Sequence, residues 1–245
     1  ARMQSLEYDR SFLAARILLD KINANMIISG AFGLFEKKTV IAVGGYDSSR
    51  MGEDMELVVR LHEFSRMNRK PYKIDFAQDA ICWSQTPEKL SELCKQRKRW
   101  QRGLFQCMWG HRKMLANPRY GAVGLLSYLY FLLYELLSPF IELLGVLTMV
   151  LSVVMDMLNV KFMLVFLACY ALYGILLTLT AYFSRIYTID QRLSFRELIL
   201  AIIACFFETT FLRFYLAFVR VTAFVGYKKN KLNWGKLERK KMNGI

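Results

Sequence analysis

The sequence predicts an α/β domain followed by an α-helical membrane region, and two observations support this division. Charged residues and short apolar runs alternate through residues 1–116, as they do in folded aqueous domains. Between about residues 121 and 182 charged residues become rare, and the apolar runs approach the length of a membrane span. We therefore divide the chain into residues 1–116, residues 117–226 and a basic tail, residues 227–245, with the first break at Asn117-Pro118.

Short β-rich runs alternate with helical patterns in the first domain. The expected strands are residues 26–35, 39–43, 72–76 and 80–83, and the expected helices are residues 5–23, 52–66 and 87–113. The last of these helices is predicted to begin with Thr86 as its N-cap and Pro87 as its first helical residue. This alternation of strands and helices indicates the α/β class.

Composition narrows the function classes. Hydrophobic residues make up 55% of the chain, and the formal net charge is +14, which favours contact with anionic lipid headgroups or an anionic substrate. Nucleic-acid binding fits the charge but not the apolar residues, which are gathered into long runs. The five cysteines are scattered without close pairing, which argues against a disulfide framework or a zinc site and for a reducing compartment.

The apolar runs leave the number of membrane spans open. Residues 162–183 are long enough to span, and residues 140–155 qualify if extended a little. Residues 121–137 are short enough to lie in the membrane interface instead. Residues 198–225 are either one span with a polar seam or a short span followed by an amphipathic interfacial helix. Basic residues flank both ends of the region, which places both ends in the cytoplasm and requires two or four spans.

An acidic pair opens the second predicted helix, in the sequence Gly52-Glu53-Asp54. Asp54 falls on one face of that helix with Leu57, Val58 and Leu61, whereas Glu53 falls on a more polar face with Glu56, Arg60 and Glu63. A carboxylate in a first turn is favoured in its ionised form, which suits a general base. The alternative is that Glu53 and Asp54 simply mark a helix start, where acidic residues are common.

A second motif, Gln96-Arg97-Lys98-Arg99-Trp100, lies within the third predicted helix. Gln96, Arg99 and Trp100 are spaced i, i+3 and i+4 and share a face, while Arg97 and Lys98 are expected to project elsewhere. The guanidinium of Arg99 suits a diphosphate, and the Trp100 indole suits the apolar face of a sugar ring. The alternative is a basic amphipathic helix that rests on anionic lipid with Trp100 as its anchor.

Together these segments resemble the processive family-two glycosyltransferases, which include the cellulose, chitin, hyaluronan and poly-N-acetylglucosamine synthases. The resemblance covers nearly the whole chain and rests on six segments: Ser29-Gly30-Ala31-Phe32, Gly44-Gly45-Tyr46, Gly52-Glu53-Asp54, the Gln96–Trp100 motif, the apolar runs and the tail around Trp234-Gly235-Lys236. It implies a partial GT-A-like domain in a multi-pass inner-membrane enzyme whose catalytic domain is cytoplasmic. The implied partners are a nucleotide-sugar donor such as a UDP-sugar, a polysaccharide or glycolipid acceptor and membrane lipid, without nucleic acid.

The resemblance also implies roles for individual residues. Asp54, beside Glu53, would be the catalytic base of an inverting transfer to a growing polysaccharide coupled to export. Gln96, Arg99 and Trp100 would bind the acceptor and the diphosphate, and Ser29 and Gly30 would line the sugar pocket. The alternatives are a non-processive enzyme that acts on a lipid or glycan acceptor, or a non-catalytic membrane scaffold.

This chain departs from the family pattern in two ways. Gly52 stands where the family usually has threonine, which leaves both carboxylates in place. No Asp-x-Asp motif precedes Ser29, so the Mg²⁺ or Mn²⁺ expected from the family would have its ligands upstream of this chain. We therefore expect this chain alone to be incomplete and inactive.

Overall fold

The computed structural model describes residues 7–8, 11–30, 32–69, 72–77, 80–82, 85–87, 89–189, 194–207 and 211–227. Every regular element within these residues is a helix, and no strand forms among them. The predicted α/β, GT-A-like class is therefore wrong for the part of the chain that the structure describes. Ala31, Trp83, Glu208 and the basic tail after Tyr227 lie outside the described residues.

The helices follow one another in this order: α1 (Ile17–Lys21), α2 (Lys37–Ala42), α3 (Glu53–Met67), α4 (Leu90–Gly110), α5 (Tyr128–Tyr130), α6 (Ser138–Val154), α7 (Val160–Ile189), α8 (Phe195–Phe207) and α9 (Arg213–Val221). Three π-helical segments adjoin them, at Ser11–Arg16, Val123–Ser127 and Phe131–Leu136. Helix α4 begins at Leu90 with Lys89 as its N-cap, so the predicted start at Thr86 and Pro87 is wrong.

The predicted strands have other structures because no neighbouring strand completes a backbone ladder with them. Residues 72–76 are bound by two side chains instead: the amides of Ile74 and Phe76 donate to Asn23 Oδ1 (3.1 Å) and Asp20 Oδ1 (2.7 Å). Residues 39–43 lie mostly in α2, so local helix formation overrides the β preference of the branched side chains there. Residues 26–35 contain a turn in which Phe32 N donates to Ser29 O, and residues 80–82 form no regular element.

A buried core forms where α3 and α4 pack together with residues on both sides of Asn117-Pro118. Its members are fully buried apolar side chains, among them Met26, Val59, Met108, Met114 and Val123. The predicted buried stripe of α3 is confirmed, since Leu57 and Val58 are inaccessible to solvent and Leu61 is nearly so. At Asn117-Pro118 the chain forms a 3₁₀ turn, Pro118–Tyr120, whose Arg119 N donates to Asn117 Oδ1, and the division into domains at this point stays a prediction.

One helix among the described residues is long and apolar enough to cross a membrane, at Val160–Ser184. A second candidate arises only if Val123–Leu136 and Ser138–Val154, which meet at a bend of 44°, count as one broken span. Within the predicted stretch 198–225 the structure describes α8 up to Phe207 and the amphipathic α9 from Arg213, while residues 208–210 lie outside the described residues. The described residues therefore contain one helix of span length, or two spans if the bent pair counts as one, so they do not support the predicted multi-pass topology.

Candidate functional site

Asp54 lies in the first turn of α3, against the loop that contains Ser29 and Gly30. Its Oδ2 accepts a hydrogen bond from Gly30 N (3.2 Å), and its Oδ1 accepts one from Met55 N (2.9 Å). A Cβ added at Gly30 would lie 3.1 Å from Oδ2, so glycine is what allows the loop backbone to approach the carboxylate this closely. The side chain of Asp54 is half-exposed, which leaves it open to a ligand.

The two predicted motifs are joined by a contact between two glycines. Gly52 precedes α3, Gly103 lies in α4, and a Cβ added at Gly103 would stand 2.8 Å from Gly52 N and 3.0 Å from Gly52 Cα. Met51 N also donates to the side chain of Gln106 on α4 (2.9 Å). The glycine that replaces the family's threonine is therefore part of the close packing between the Asp54 helix and the Trp100 helix.

Trp100 is an exposed aromatic residue of α4, with 39% of its surface accessible. The Tyr8 ring lies beside it, with 6.5 Å between the ring centroids, and the guanidinium of Arg97 lies 5.0 Å from the Trp100 ring centroid. Gln96 and Arg99 are half-buried on the same helix. The structure thus places Trp100 in an aromatic and cationic setting that includes two residues from outside the predicted set.

Arg97 is a residue that sequence reasoning missed. Both of its terminal nitrogens donate to the carboxylate of Glu7, with Arg97 Nη1 at 2.7 Å from Glu7 Oε1. Burial disfavours the charged form, but the Glu7 carboxylate outweighs it and raises the pKa of Arg97. The expectation that Arg97 projects away from Trp100 is wrong, because residues three apart are neighbours on a helix surface.

Arg16 supplies a second half-buried cation, within electrostatic reach of Asp54. Burial is the largest influence on it and lowers the pKa of Arg16 to about 10, while the negative charge of Asp54 favours its protonated form. Arg16 therefore remains cationic near neutral pH. No sequence signal marked this residue, because a lone arginine at the end of a short helical run is ordinary.

The more polar face of α3 is engaged in a network of ion pairs and hydrogen bonds. Glu56 is buried, accepts from Arg60 Nη2 (2.7 Å) and pairs with His111, which also bonds Glu63 (2.7 Å). Burial alone would raise the pKa of Glu56, but the hydrogen bond from His111 and the charge of Arg60 lower it. This network anchors α3 from behind while Asp54 faces the loop.

No group of three or more His, Cys, Asp or Glu side chains that could hold a metal ion occurs in the described part of the chain. Glu53 and Glu56 share the first turn of α3 with Asp54 but form no metal-binding group with it, and the oxygens of Asp54 accept from backbone N–H groups. These residues do not fit a divalent-metal site. No step below therefore depends on one.

One protein family and several individual known proteins are similar to this chain. The family described as "Glycosyl transferase family group 2" matches residues 1–227. Poly-beta-1,6-N-acetyl-D-glucosamine synthases of Staphylococcus aureus strains COL and N315 are 32% identical over 116 residues, which is 47% of this chain and 25% of each relative. The Staphylococcus epidermidis protein of the same name is 31% identical over the same length and shares. No solved structure matches.

The matched segment thus amounts to a quarter of the length of these relatives. The family match is far broader, since it extends over almost all of the described residues and includes Asp54, Trp100 and both glycines of the helix contact. On this match, the chain belongs to glycosyl transferase family group 2.

Proposed function

We propose that this chain is the acceptor-side part of an inverting glycosyltransferase that extends a polysaccharide with sugars from a nucleotide-sugar donor. The observation that carries the proposal is the position of Asp54, half-exposed at the start of α3 and bonded to the backbone of the Ser29-Gly30 loop. The membership of the chain in glycosyl transferase family group 2 supports it.

In the proposed reaction Asp54 removes the proton from the acceptor hydroxyl. That oxygen attacks the anomeric carbon of the donor sugar as the bond between this carbon and the diphosphate oxygen breaks, and the nucleoside diphosphate leaves with the electron pair. Arg99 stabilises the negative charge on the leaving diphosphate. Glu53, the first residue of α3, adds a second negative charge beside the base.

Trp100 holds the terminal sugar of the acceptor in this proposal, with Gln96 beside it on the helix. An exposed indole offers a flat apolar surface to the C–H groups of a pyranose ring. The relatives are named for poly-β-1,6-N-acetyl-D-glucosamine, so UDP-N-acetylglucosamine is the first donor to test.

The apolar helices extend the proposal to the membrane. Large apolar side chains along α7 are exposed, among them Phe162, Val165 and Phe166. Lipid would cover such a surface, because contiguous apolar patches of this size are rare in contact with water. We place α7 and the bent pair in the cell membrane, with the catalytic domain in the cytoplasm and the product exported between the helices.

The test is an Asp54→Asn substitution in the complete protein, assayed in membranes with UDP-N-acetylglucosamine. Asparagine keeps an oxygen that can accept from Gly30 N, so the loop contact survives while the base is lost. Asp75→Asn is the matched control, since Asp75 forms an exposed ion pair with Lys73. We expect no polymer from Asp54→Asn and normal polymer from Asp75→Asn.

Near-normal synthesis by the Asp54→Asn enzyme would refute the assignment of the base. A product that carries a single added sugar would replace the processive reaction by the single-addition alternative. Absence of any nucleotide release from the wild-type protein with every sugar donor would favour the non-catalytic scaffold.

A further inference from the structure

The bend between the π-helical segment Phe131–Leu136 and α6 leaves two backbone carbonyls without a helical partner. Pro139 has no N–H to donate to the Glu135 carbonyl. The Phe140 N–H donates to Leu137 O (3.0 Å) and so does not reach Leu136 O. A kink of 44° at a proline, with open carbonyls before it, needs donors from elsewhere in the structure.

Two side chains from other helices supply those donors. Gln101 of α4 donates from Nε2 to Leu136 O (3.0 Å), and Arg220 of α9 donates from Nη2 to Glu135 O. Arg220 Nε also donates to Gln101 Oε1 (2.8 Å), so the two side chains bond each other as well as the bend. Gln101 is 2% exposed and Arg220 is half-buried, and Arg220 Nη2 also lies 3.7 Å from Glu135 Oε2. We call the Gln101–Arg220 pair and its two carbonyls the bend contact.

The bend contact lies one residue from Trp100, the residue proposed to bind the acceptor, which we call the acceptor platform. Gln101 follows Trp100 directly in α4, so the carbonyls of the bend fix the same helical turn that carries the indole. The contact between Gly52 and Gly103 fixes α4 against the base helix independently of the bend. Two separate contacts of α4 thus position Trp100. One joins α4 to the helix of the proposed base Asp54, and the other joins α4 to the bent apolar helix pair.

We propose that Gln101 and Arg220 are positioning residues that hold Trp100 in register with the bend, so that the polysaccharide stays bound between successive additions. Neither residue touches the reacting atoms. This inference rests on the proposed function, in which the product passes from Trp100 to the apolar helices. Loss of the bend contact lets the platform shift relative to that path, while the base at Asp54 keeps its own support.

The experiment compares product length with the rate of transfer in the complete protein, reconstituted in lipid nanodiscs with UDP-N-acetylglucosamine. Gln101→Leu and Arg220→Met each remove the donors to the bend. We expect the mean product length to fall about 5-fold or more, as for the loss of a buried hydrogen bond. The initial rate of UDP release should stay within about 2-fold of wild type.

Arg213→Met is the matched control on the same helix. Arg213 pairs with Glu142 (3.0 and 2.8 Å) and has no contact with the bend carbonyls, so its variant should make product of normal length. Arg220→Lys keeps a donor for Glu135 O but loses the fork that also reaches Gln101, and it should give an intermediate length. This milder variant keeps the test decisive if Arg220→Met fails to fold.

Unchanged product length in both Gln101→Leu and Arg220→Lys would overturn the inference. A parallel fall of product length and UDP release in proportion to the amount of folded protein would also overturn it, because the contact would then be structural only. Polymer formation by the Asp54→Asn enzyme would refute the proposed base instead, and the length comparison would still be readable. The two failures are therefore distinguishable.

Discussion

Replacement of Gly103 by alanine tests whether the contact between the two helices sets the geometry of the site. The added Cβ would stand 2.8 Å from Gly52 N, 3.0 Å from Gly52 Cα and 3.3 Å from the carbonyl carbon of Met51. All three atoms are backbone, so no side chain can rotate away. Because comfortable contacts of this kind begin near 3.5 Å, α4 must move from α3 by about 0.5 Å or more.

The energetic cost of this change is modest. Overpacking of a close contact costs about 1–3 kcal/mol, and alanine regains about 1 kcal/mol over glycine inside a helix. The net loss in the free energy of unfolding is therefore about 0–2 kcal/mol, which leaves the protein folded. The displacement matters more, because a shift of about 1 Å in a catalytic arrangement lowers rates by about 100-fold.

We expect Gly103→Ala to lower the rate of UDP release from UDP-N-acetylglucosamine by about 10- to 100-fold in the complete protein. Protein amount is normalised by immunoblot, and thermal unfolding in detergent reports stability. Gly145→Ala is the control, because a Cβ added there meets no atom within 4 Å, and its rate should stay within about 2-fold of wild type. A wild-type rate in a stably folded Gly103→Ala enzyme would refute the role of the contact.

Three further predictions concern the platform and the core. Trp100→Ala should raise the KM for an oligosaccharide acceptor about 10-fold while Trp100→Phe keeps most of the affinity, and equal effects of the two would exclude ring stacking. Arg97→Met should also raise that KM. Glu7→Gln leaves the cation in place and should raise the KM less. A larger rise in KM for Glu7→Gln than for Arg97→Met would assign the ring contact to Glu7. Burial lowers the pKa of His62 to about 4 in the folded protein. Up to about 3 kcal/mol of stability that is present above pH 6.5 should therefore be lost as the pH falls towards 4. Thermal unfolding of the His62→Gln variant should show a weaker pH dependence.

The sequence was most informative where helical spacing and buried surface agreed. Leu57, Val58 and Leu61 recur at the helical period and are buried in α3, as predicted. Asp54 extends that stripe to the start of the helix, where it contacts Gly30. These features are local, so a single stretch of sequence contains the information that sets them.

Long-range contacts account for what the sequence could not show. Glu56 lies on the more polar face of the predicted helix, yet it is buried because the fold brings Arg60 and His111 to it. Arg97 is set by Glu7, ninety residues earlier in the chain. A one-dimensional pattern records which charges exist but not which of them meet.

The wrong fold class has a similar physical cause. A β-rich run predicts a strand only on the assumption that another strand lies beside it, because a single extended segment leaves its backbone groups unpaired. Residues 72–76 form no regular element, and Asn23 and Asp20 bond the Tyr72 carbonyl and the Ile74 and Phe76 amides instead. Thr39 and Val40 are β-branched, yet they lie in α2, with Val40 N bonded to Glu36 O.

Helix α4 joins the base to the bend through two positions that face different neighbours. Gly103 and Gln101 are two residues apart, so their side-chain directions differ by about 200° around the helix. Gly103 meets Gly52, whereas Gln101 meets Leu136 O and Arg220. If these contacts control different steps, the changes should combine without coupling: the double variant Gly103→Ala/Gln101→Leu should show the slow UDP release of the first and the short product of the second. A coupling of more than about 1 kcal/mol between the effects of the two substitutions would show instead that α4 moves as one body. Transfer of the sugar and retention of the product would then be a single property.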